Sequence, residues 1–239
     1  MRKPLRMRSF VPFYVLVFTG CLMLTVFGSK MVTVMSESAP LEGRHCIVID
    51  AGHGGVDGGA TSCTGVLESN LNLEIALRLN DLLRLLGYDT TMIRTTDESV
   101  YTQGETIAAK KVSDLKQRVK IVNETENALL ISIHQNQFSD SQYSGAQVFY
   151  TGSENSVNLA KNLQTMLVES LNPGSSRQAK KASGIYLMEH IECTGILVEC
   201  GFLSNPAEEA KLRNAEYQKK LCSVIAVAVG NHLDRWRLD

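Results

Sequence analysis

Three points along the chain combine residues able to bind a metal or transfer a proton with apolar runs typical of buried strands. His53, His134 and Glu199 each come just after such a run. The runs are residues 46–49, 128–131 and 195–198. In open α/β sheets, reacting groups gather in the crevice outside the carboxyl ends of the strands. Two histidines and a carboxylate are also the protein ligands of a catalytic zinc site that keeps one position open for water.

His53 lies in the glycine-rich segment GHGGVDGGA at 52–60. Glycines let the backbone approach a ligand closely and adopt positive φ. A phosphate-binding loop is the alternative, but the segment lacks both the Lys-Ser/Thr pair and the GxGxxG spacing. His134, taken alone, is more typical of a buried structural histidine. Because it follows a second strand in the same way, the pair favours a shared metal site.

Asn136 lies two residues beyond His134, so it is predicted on the same side of the chain, where its amide could bind substrate. An ordinary turn residue is the alternative. The third ligand is predicted to be Glu68, at the start of a helix after the first strand. Its alternative role is that of a carboxylate stabilised by the positive end of the helix dipole. Glu74 is the rival ligand, but its position favours a solvent-facing side.

Glu199 interrupts the apolar run Ile196-Leu197-Val198 and is followed by Cys200-Gly201-Phe202. A charged group there is costly unless it is paired or lies near a metal. A structural ion pair is one interpretation. The functional interpretation is a general base or acid for a water activated by the metal.

Strand-like and helix-like segments alternate from His45 onward. The pattern predicts strands at 45–50, 88–94, 128–133, 146–151, 184–188 and 195–200, and helices at 69–86, 114–124, 156–171, 206–213 and 215–236. This alternation predicts a single α/β domain over 45–239, with a mostly parallel twisted sheet and helices on both faces.

The N-terminal residues 1–30 have a different composition. No charged residue occurs from Ser9 to Ser29, while four basic residues precede this run and only Lys30 follows closely. About 20 apolar residues span a bilayer as a helix. The charge asymmetry predicts a transmembrane anchor with the catalytic domain outside the cytoplasm, joined by a linker at 31–44. A cleaved signal peptide, giving a secreted protein, is the alternative.

The charge balance argues against nucleic acid as a partner. The chain has 24 basic and 25 acidic residues. Five basic and no acidic residues lie in 1–30, which leaves 19 against 25, a net charge of −6. An acidic domain without a basic run lacks the electrostatic footprint of nucleic-acid binding.

Four segments resemble the zinc-dependent N-acetylmuramoyl-L-alanine amidases of the amidase_3 family. They are GHGGVDGGA, GVLESNLNLEIALRL, ISIHQNQ and GILVECGFLSNPAEEAKL, within residues 45–236. The resemblance implies that His53, Glu68 and His134 hold Zn²⁺ and that Glu199 is the catalytic carboxylate, which resolves the choice against Glu74. Asn136, Asp57 and Arg118 match recurrent positions of the family. We interpret Asn136 as a substrate contact, and Asp57 and Arg118 as structural. Gln135 departs from the Ala or Leu usual there.

The resemblance further implies cleavage of the amide between the lactyl group of N-acetylmuramic acid and L-alanine in peptidoglycan. GAQVFY at 145–150, the short chain and the N-terminal anchor are similar to sporulation members of the family, which act in muramic δ-lactam formation. An accessory activating protein is a predicted partner, besides peptidoglycan and the membrane. A zinc peptidase of cell-wall stem peptides and a non-catalytic wall-binding protein are the alternatives.

Overall fold

The alternating pattern folds into six strands and six helices within residues 45–236, the part of the chain that the computed structural model describes. The strands are β1 (Cys46–Ala51), β2 (Asp89–Met92), β3 (Ala128–Asn136), β4 (Gln147–Tyr150), β5 (Lys180–Lys181) and β6 (Thr194–Phe202). The helices are α1 (Glu68–Leu85), α2 (Ile107–Glu124), α3 (Glu154–Leu171), α4 (Tyr186–His190), α5 (Pro206–Leu212) and α6 (Ala215–Trp236).

The strands form one mixed sheet in the order β2-β1-β3-β6-β4-β5. Strands β2, β1, β3 and β6 are parallel, whereas β4 runs antiparallel to β6 and carries β5 parallel to itself. The expected mostly parallel sheet therefore includes one antiparallel pairing. A parallel crossover needs a dozen or more residues and usually a helix. The connection from β3 to β4 is a short stretch, 137–146, without one.

Helices cover both faces of the sheet, as the alternation predicts. One apolar cluster joins strand residues such as Ile49 and Ile131 to α1, α3 and α6. Residues of opposite parity, such as Leu130 and Leu197, pack with α2 and α4 in a second cluster. The central strands are buried on both faces, so their carboxyl ends are fixed in position.

Two predicted elements differ from the structure. Helix α2 begins at Ile107 instead of 114, because the Thr106 side chain caps it by accepting from the Ala109 N–H. The strand predicted at 184–188 is wrong, since this segment contributes to helix α4. Tyr186 and His190, four residues apart, stack with ring centroids 3.9 Å apart, a spacing that only a helix brings together.

The predicted anchor at 1–30 and linker at 31–44 lie outside the described residues. Within 45–236, no helix is long and apolar enough to cross a membrane.

Candidate functional site

Glu68 lies between the two predicted histidine ligands. Its Oε2 is 3.3 Å from His53 Nε2, and its Oε1 is 3.0 Å from His134 Nδ1. The two imidazole rings meet edge to face, with centroids 5.0 Å apart and an interplanar angle of 74°. One ligand atom from each of the three residues falls within 4.8 Å of the others. The structure therefore brings the three predicted metal ligands together.

Three elements deliver these side chains to one edge of the sheet. His53 lies in the loop after β1, Glu68 is the first residue of α1, and His134 lies near the end of β3. Helix α1 begins at Glu68, one residue before the predicted start at 69. Strand β3 continues past its predicted end at 133, through His134 to Asn136. His53 has a φ of +61°, a left-handed conformation that non-glycine residues rarely adopt. Such backbone strain concentrates at functional sites.

Asp57 fixes the orientation of His53. Its Oδ2 lies 2.9 Å from His53 Nδ1, and its other oxygen pairs with Lys111 Nζ at 2.8 Å. With Nδ1 used in this way, Nε2 is the nitrogen that His53 presents to Glu68. Burial lowers the pKa of His53, but the carboxylates of Glu68 and Asp57 outweigh this and raise the pKa to about 9. Carboxylates of this kind orient metal-binding histidines and increase their basicity.

Glu68 is buried and ionised. Burial raises its pKa, yet the hydrogen bonds and charges of His134 and His53 hold the pKa well below its ordinary value. Its oxygens also accept from the backbone N–H groups of Ala60 (2.9 Å) and Gln135 (3.1 Å), and from Asn72 Nδ2 (3.2 Å). These donors hold the carboxylate in one position with its charge intact.

Zn²⁺ fits this group of side chains. Two imidazole nitrogens and one carboxylate oxygen are a recurrent donor set for catalytic zinc. Two glycines keep the space around these donors free. A Cβ on Gly52 would lie 2.2 Å from His134 Nε2, and a Cβ on Gly59 would lie 2.7 Å from Glu68 Oε2. The backbone is therefore shaped around the predicted ligands.

Glu199 is directly paired with His134 in the register of β3 and β6. Its Oε2 is buried without a hydrogen-bond partner among the described residues. Burial, with a contribution from the charge of Glu68, raises its pKa to about 7 against the opposing effect of the two histidines. Within residues 45–236, no ion pair at Glu199 supports the structural alternative.

The contacts of Asn136 and Glu74 show where these two candidate site residues lie. Asn136 ends β3, and its carbonyl accepts from the Leu203 N–H at 2.8 Å, so its backbone joins β3 to the segment after β6. Glu74 lies away from the histidines, where its Oε2 accepts from Gln218 Nε2 at 3.1 Å. The rival ligand is therefore part of the contact between α1 and α6.

Two buried arginines support the His53 loop, and the sequence analysis missed one of them. Arg94, after β2, donates to the carbonyls of Ala51 (2.8 Å) and Gly52 (3.0 Å). Arg118 pairs with Asp50 and donates to the His53 carbonyl at 2.7 Å, which agrees with its structural interpretation. The charge of Asp50 at the end of an apolar strand indicates a buried cationic partner, which is Arg118. No comparable sequence feature indicates that Arg94 is buried.

Helix α5 adds two buried carboxylates that the sequence did not reveal. Glu208 accepts from the N–H groups of Gly145 (2.9 Å) and Phe202 (3.0 Å). Glu209 accepts from the hydroxyls of Ser62 (3.2 Å) and Thr64 (2.5 Å). Consecutive glutamates in the first turn of a helix usually face solvent and favour the helix dipole. Here they tie the loops on two sides of the site to α5.

Comparison with known proteins agrees with this geometry. Residues 47–231 match the Amidase_3 family, N-acetylmuramoyl-L-alanine amidase. The chain is 42% identical over 191 residues to the germination-specific N-acetylmuramoyl-L-alanine amidase of Bacillus subtilis (strain 168), covering 79% of each protein.

Solved structures show the same similarity. The CwlD amidase of Clostridioides difficile, determined in complex with the GerS lipoprotein, superposes with a TM-score of 0.77 at 33% identity, over 80% of this chain and 99% of that one. An N-acetylmuramoyl-L-alanine amidase from Clostridium difficile 630 gives 0.71 at 28% identity, over 81% and 98%. The chain therefore belongs to the Amidase_3 family and is an N-acetylmuramoyl-L-alanine amidase that acts on peptidoglycan.

Proposed function

We propose that this amidase depends on Zn²⁺ held by His53, Glu68 and His134, with Glu199 as the catalytic acid and base. One observation carries the proposal: ligand atoms of the three residues lie within 4.8 Å of one another, and the register partner of His134 is Glu199, whose Oε2 is buried without a hydrogen-bond partner among the described residues. When bound, Zn²⁺ supplies a Lewis acid that lowers the pKa of water to about 7 and polarises the scissile carbonyl.

Glu199 moves the proton in this mechanism. Burial raises the pKa of its carboxyl above the ordinary value, which favours proton uptake and release near neutral pH. It takes the proton of the attacking water and delivers it to the nitrogen of the departing L-alanine. Asn136, two residues beyond His134, is proposed to contact the substrate. The products are a stem peptide with a free N-terminus and a muramic acid with a free lactyl carboxylate.

Metal analysis tests the ligand assignment. His53→Ala and His134→Ala should each bind well under one zinc per chain while keeping the wild-type circular dichroism spectrum. His190→Ala is the matched control, because His190 is exposed and its ring contacts Tyr186 of its own helix, so the variant loses a histidine and this local stacking but should keep full zinc occupancy. Full zinc occupancy in both ligand variants would refute the assignment.

We also propose that the domain works outside the cytoplasmic membrane, held there by residues 1–30, and that it serves spore cortex maturation. The support is the charge asymmetry around the apolar run and the similarity to a germination-specific amidase. The lactyl carboxylate that the reaction frees is the group needed for muramic δ-lactam formation by a second enzyme. Spores made without this chain should lack muramic δ-lactam, and normal δ-lactam levels would contradict the sporulation role.

An accessory protein is a further proposed partner. The support is the similarity to the Clostridioides difficile CwlD amidase, whose structure was determined in complex with the GerS lipoprotein. The purified chain should then have incomplete zinc occupancy or slow turnover until a partner is added. Full occupancy and rapid turnover of the pure chain would make an obligatory activator unnecessary.

A further inference from the structure

A polar cavity of about 1060 Å³ lies along the same edge of the sheet as the metal ligands. Gln147, which lines it, is the register partner of Glu199, and Glu199 is the register partner of His134. The three residues thus form one row across neighbouring strands. The cavity lies between the loop that leads into β4 and the loop at 171–178, with α5 at its side.

The spacing of the row gives the distance from the reaction centre to the cavity. Neighbouring strands lie about 4.8 Å apart, so the backbones of His134 and Gln147 are separated by about 10 Å. An extended peptide advances about 3.3–3.6 Å per residue. A peptide that starts at the scissile amide therefore reaches the cavity with its second or third residue.

The charged side chains that line the cavity are mostly cationic. Arg177, Lys180 and Lys211 line it, and none of them forms an ion pair within the described part of the chain. Glu208 is the acidic residue of the lining, but it is buried and accepts from two backbone N–H groups. Three cations against one carboxylate leave a net charge of +2, which attracts an anionic ligand.

Arg177 is held in position for such a ligand. Its guanidinium carbon lies 4.6 Å from the centre of the Phe202 ring. Its Nε donates to the Ser144 carbonyl at 2.7 Å, and its Nη1 donates to Gln147 Oε1 at 3.2 Å. A guanidinium has five N–H groups in a planar fork that matches a carboxylate. Because the fork is already oriented, little further ordering is needed to bind one.

We propose that this cavity binds a carboxylate of the stem peptide, two or three residues beyond the scissile amide, with Arg177 as the main contact and Lys211 adding charge. The proposal rests on the proposed function, because it takes the amide to be cleaved beside His134 and Glu199. It makes the enzyme selective for the free acid over the carboxamide at that peptide position.

The test compares muramoyl peptides that differ only in carboxylate or carboxamide, at the second residue in one pair and at the third in another. For one pair, the full-length wild type should cleave the acid with a kcat/KM at least about ten-fold above that of the amide, mainly through KM, as expected for a charge-assisted contact. Arg177→Gln should reduce this ratio to near one, Arg177→Lys should restore part of it, and Lys211→Gln should lower it several-fold.

Arg84→Gln is the matched control, because Arg84 is exposed in the last turn of α1, far from the cavity lining, and its variant should keep the wild-type ratio. If Arg177 only braced the loops, its variant would slow both members of a pair equally and keep the ratio, which would overturn the proposal. Equal cleavage of acid and amide by the wild type in both pairs would also overturn it.

Equilibrium binding of the free stem peptides to the Glu199→Gln protein separates this proposal from the proposed function, since binding requires no turnover. Tighter binding of the acid peptide, lost in the Arg177→Gln, Glu199→Gln double variant, supports the cavity even if zinc-dependent cleavage fails. Equal binding of acid and amide peptides rejects the cavity even if zinc-dependent cleavage is observed.

Discussion

At the scale of the residue, Glu68 organises the site. It contacts both imidazoles and accepts from two backbone N–H groups and one side-chain amide. A carboxylate on a buried helix start is costly unless its charge is compensated. The hydrogen bonds and charge effects of the two imidazoles hold the pKa of Glu68 low, so Glu68 remains an anion that can bind a cation. Glu199, in contrast, is half-buried near the same groups, and its buried Oε2 has no hydrogen-bond partner among the described residues, which suits a proton carrier.

The Glu199→Gln variant separates the role of proton carrier from that of ligand. It keeps the side-chain volume and removes the base, so turnover should fall about 10²–10⁴-fold, the usual contribution of general acid–base catalysis. Zinc content and fold should be unchanged, because three other residues supply the ligands. Steady-state kinetics measures the fall in turnover, and metal analysis measures the zinc content.

Glu169→Gln is a suitable control for this variant, since Glu169 is exposed on α3 and should tolerate the change without effect. Near-normal turnover of Glu199→Gln would make Glu199 structural. Zinc loss equal to that of His53→Ala would instead make it a ligand.

At the scale of the element, the loop after β1 is shaped around side chains from other elements. Gly52 packs against the His134 ring of β3, and Gly59, at a φ of +68°, packs against Glu68 of α1. Both positions exclude a side chain, although neither glycine is a proposed metal ligand. Their packing explains why a glycine-rich segment accompanies His53.

The Gly52→Ala variant tests this packing. A Cβ would lie 2.2 Å from His134 Nε2, so the ring must shift and the ligand set is distorted. Zinc affinity should weaken about 10–100-fold, the range for residues that orient metal ligands. Gly152→Ala is the control, because a Cβ there meets no atom within 4 Å. Competition with a chelator measures both variants, and wild-type affinity in Gly52→Ala would show that the ring has room to move.

Much of this arrangement could be predicted from sequence because its signals are local. Apolar runs that end at His53, His134 and Glu199 place these residues at strand ends, and strand ends converge in a sheet of this type. The helix that begins at Glu68 was also predictable locally, because its apolar residues recur at intervals of three and four. The family resemblance was needed to choose Glu68 over Glu74.

Other features depend on contacts between distant segments, which local patterns do not contain. Arg94 donates to carbonyls that lie about forty residues earlier in the chain. Glu208 and Glu209 resemble solvent-facing residues of a first helical turn, yet both are buried. The β-branched and aromatic residues at 184–188 favour a strand. In the structure this segment contributes to helix α4, in which Tyr186 stacks on His190 four residues later.

At the scale of the whole molecule, a buried ion pair connects the sheet to the site. Asp50 of β1 pairs with Arg118 of α2 and accepts from Ser132 Oγ at 2.6 Å. Burial raises the pKa of Asp50, but Arg118, with smaller contributions from His134 and Ser132, holds it below the ordinary value of 3.8. Because the folded pKa is lower than the unfolded one, this group stabilises the fold above the unfolded pKa and less as pH falls through the folded pKa.

The Asp50→Asn variant should lose this contribution. At pH 7 its free energy of unfolding should be about 1–3 kcal/mol below that of the wild type, because Arg118 keeps its ion pair with Asp114 but loses its fully buried partner. The difference should narrow below about pH 4, because Asp50 takes up a proton in the unfolded wild type at a higher pH than it does in the folded protein. Urea unfolding between pH 7 and pH 3 measures both curves, and a constant difference would contradict the linkage.

The proposed topology is also a property of the whole chain. The proposal that the domain lies outside the cytoplasm rests on four basic residues before the apolar run and one after it. An alkaline phosphatase fused after Asp239 should therefore be active, because that reporter works only outside the cytoplasm. A silent phosphatase fusion together with an active cytoplasmic reporter at the same position would contradict the orientation.

Mass spectrometry of peptidoglycan digested by the full-length protein tests the central claim most directly. With Zn²⁺ present, the chain should release intact stem peptides with N-terminal L-alanine and leave glycan strands with free lactyl groups. Chelation should abolish this release and added Zn²⁺ should restore it, because His53, Glu68 and His134 are proposed to act only through the metal. Fragments cut within the stem peptide, or release that persists after complete removal of zinc, would contradict a zinc amidase.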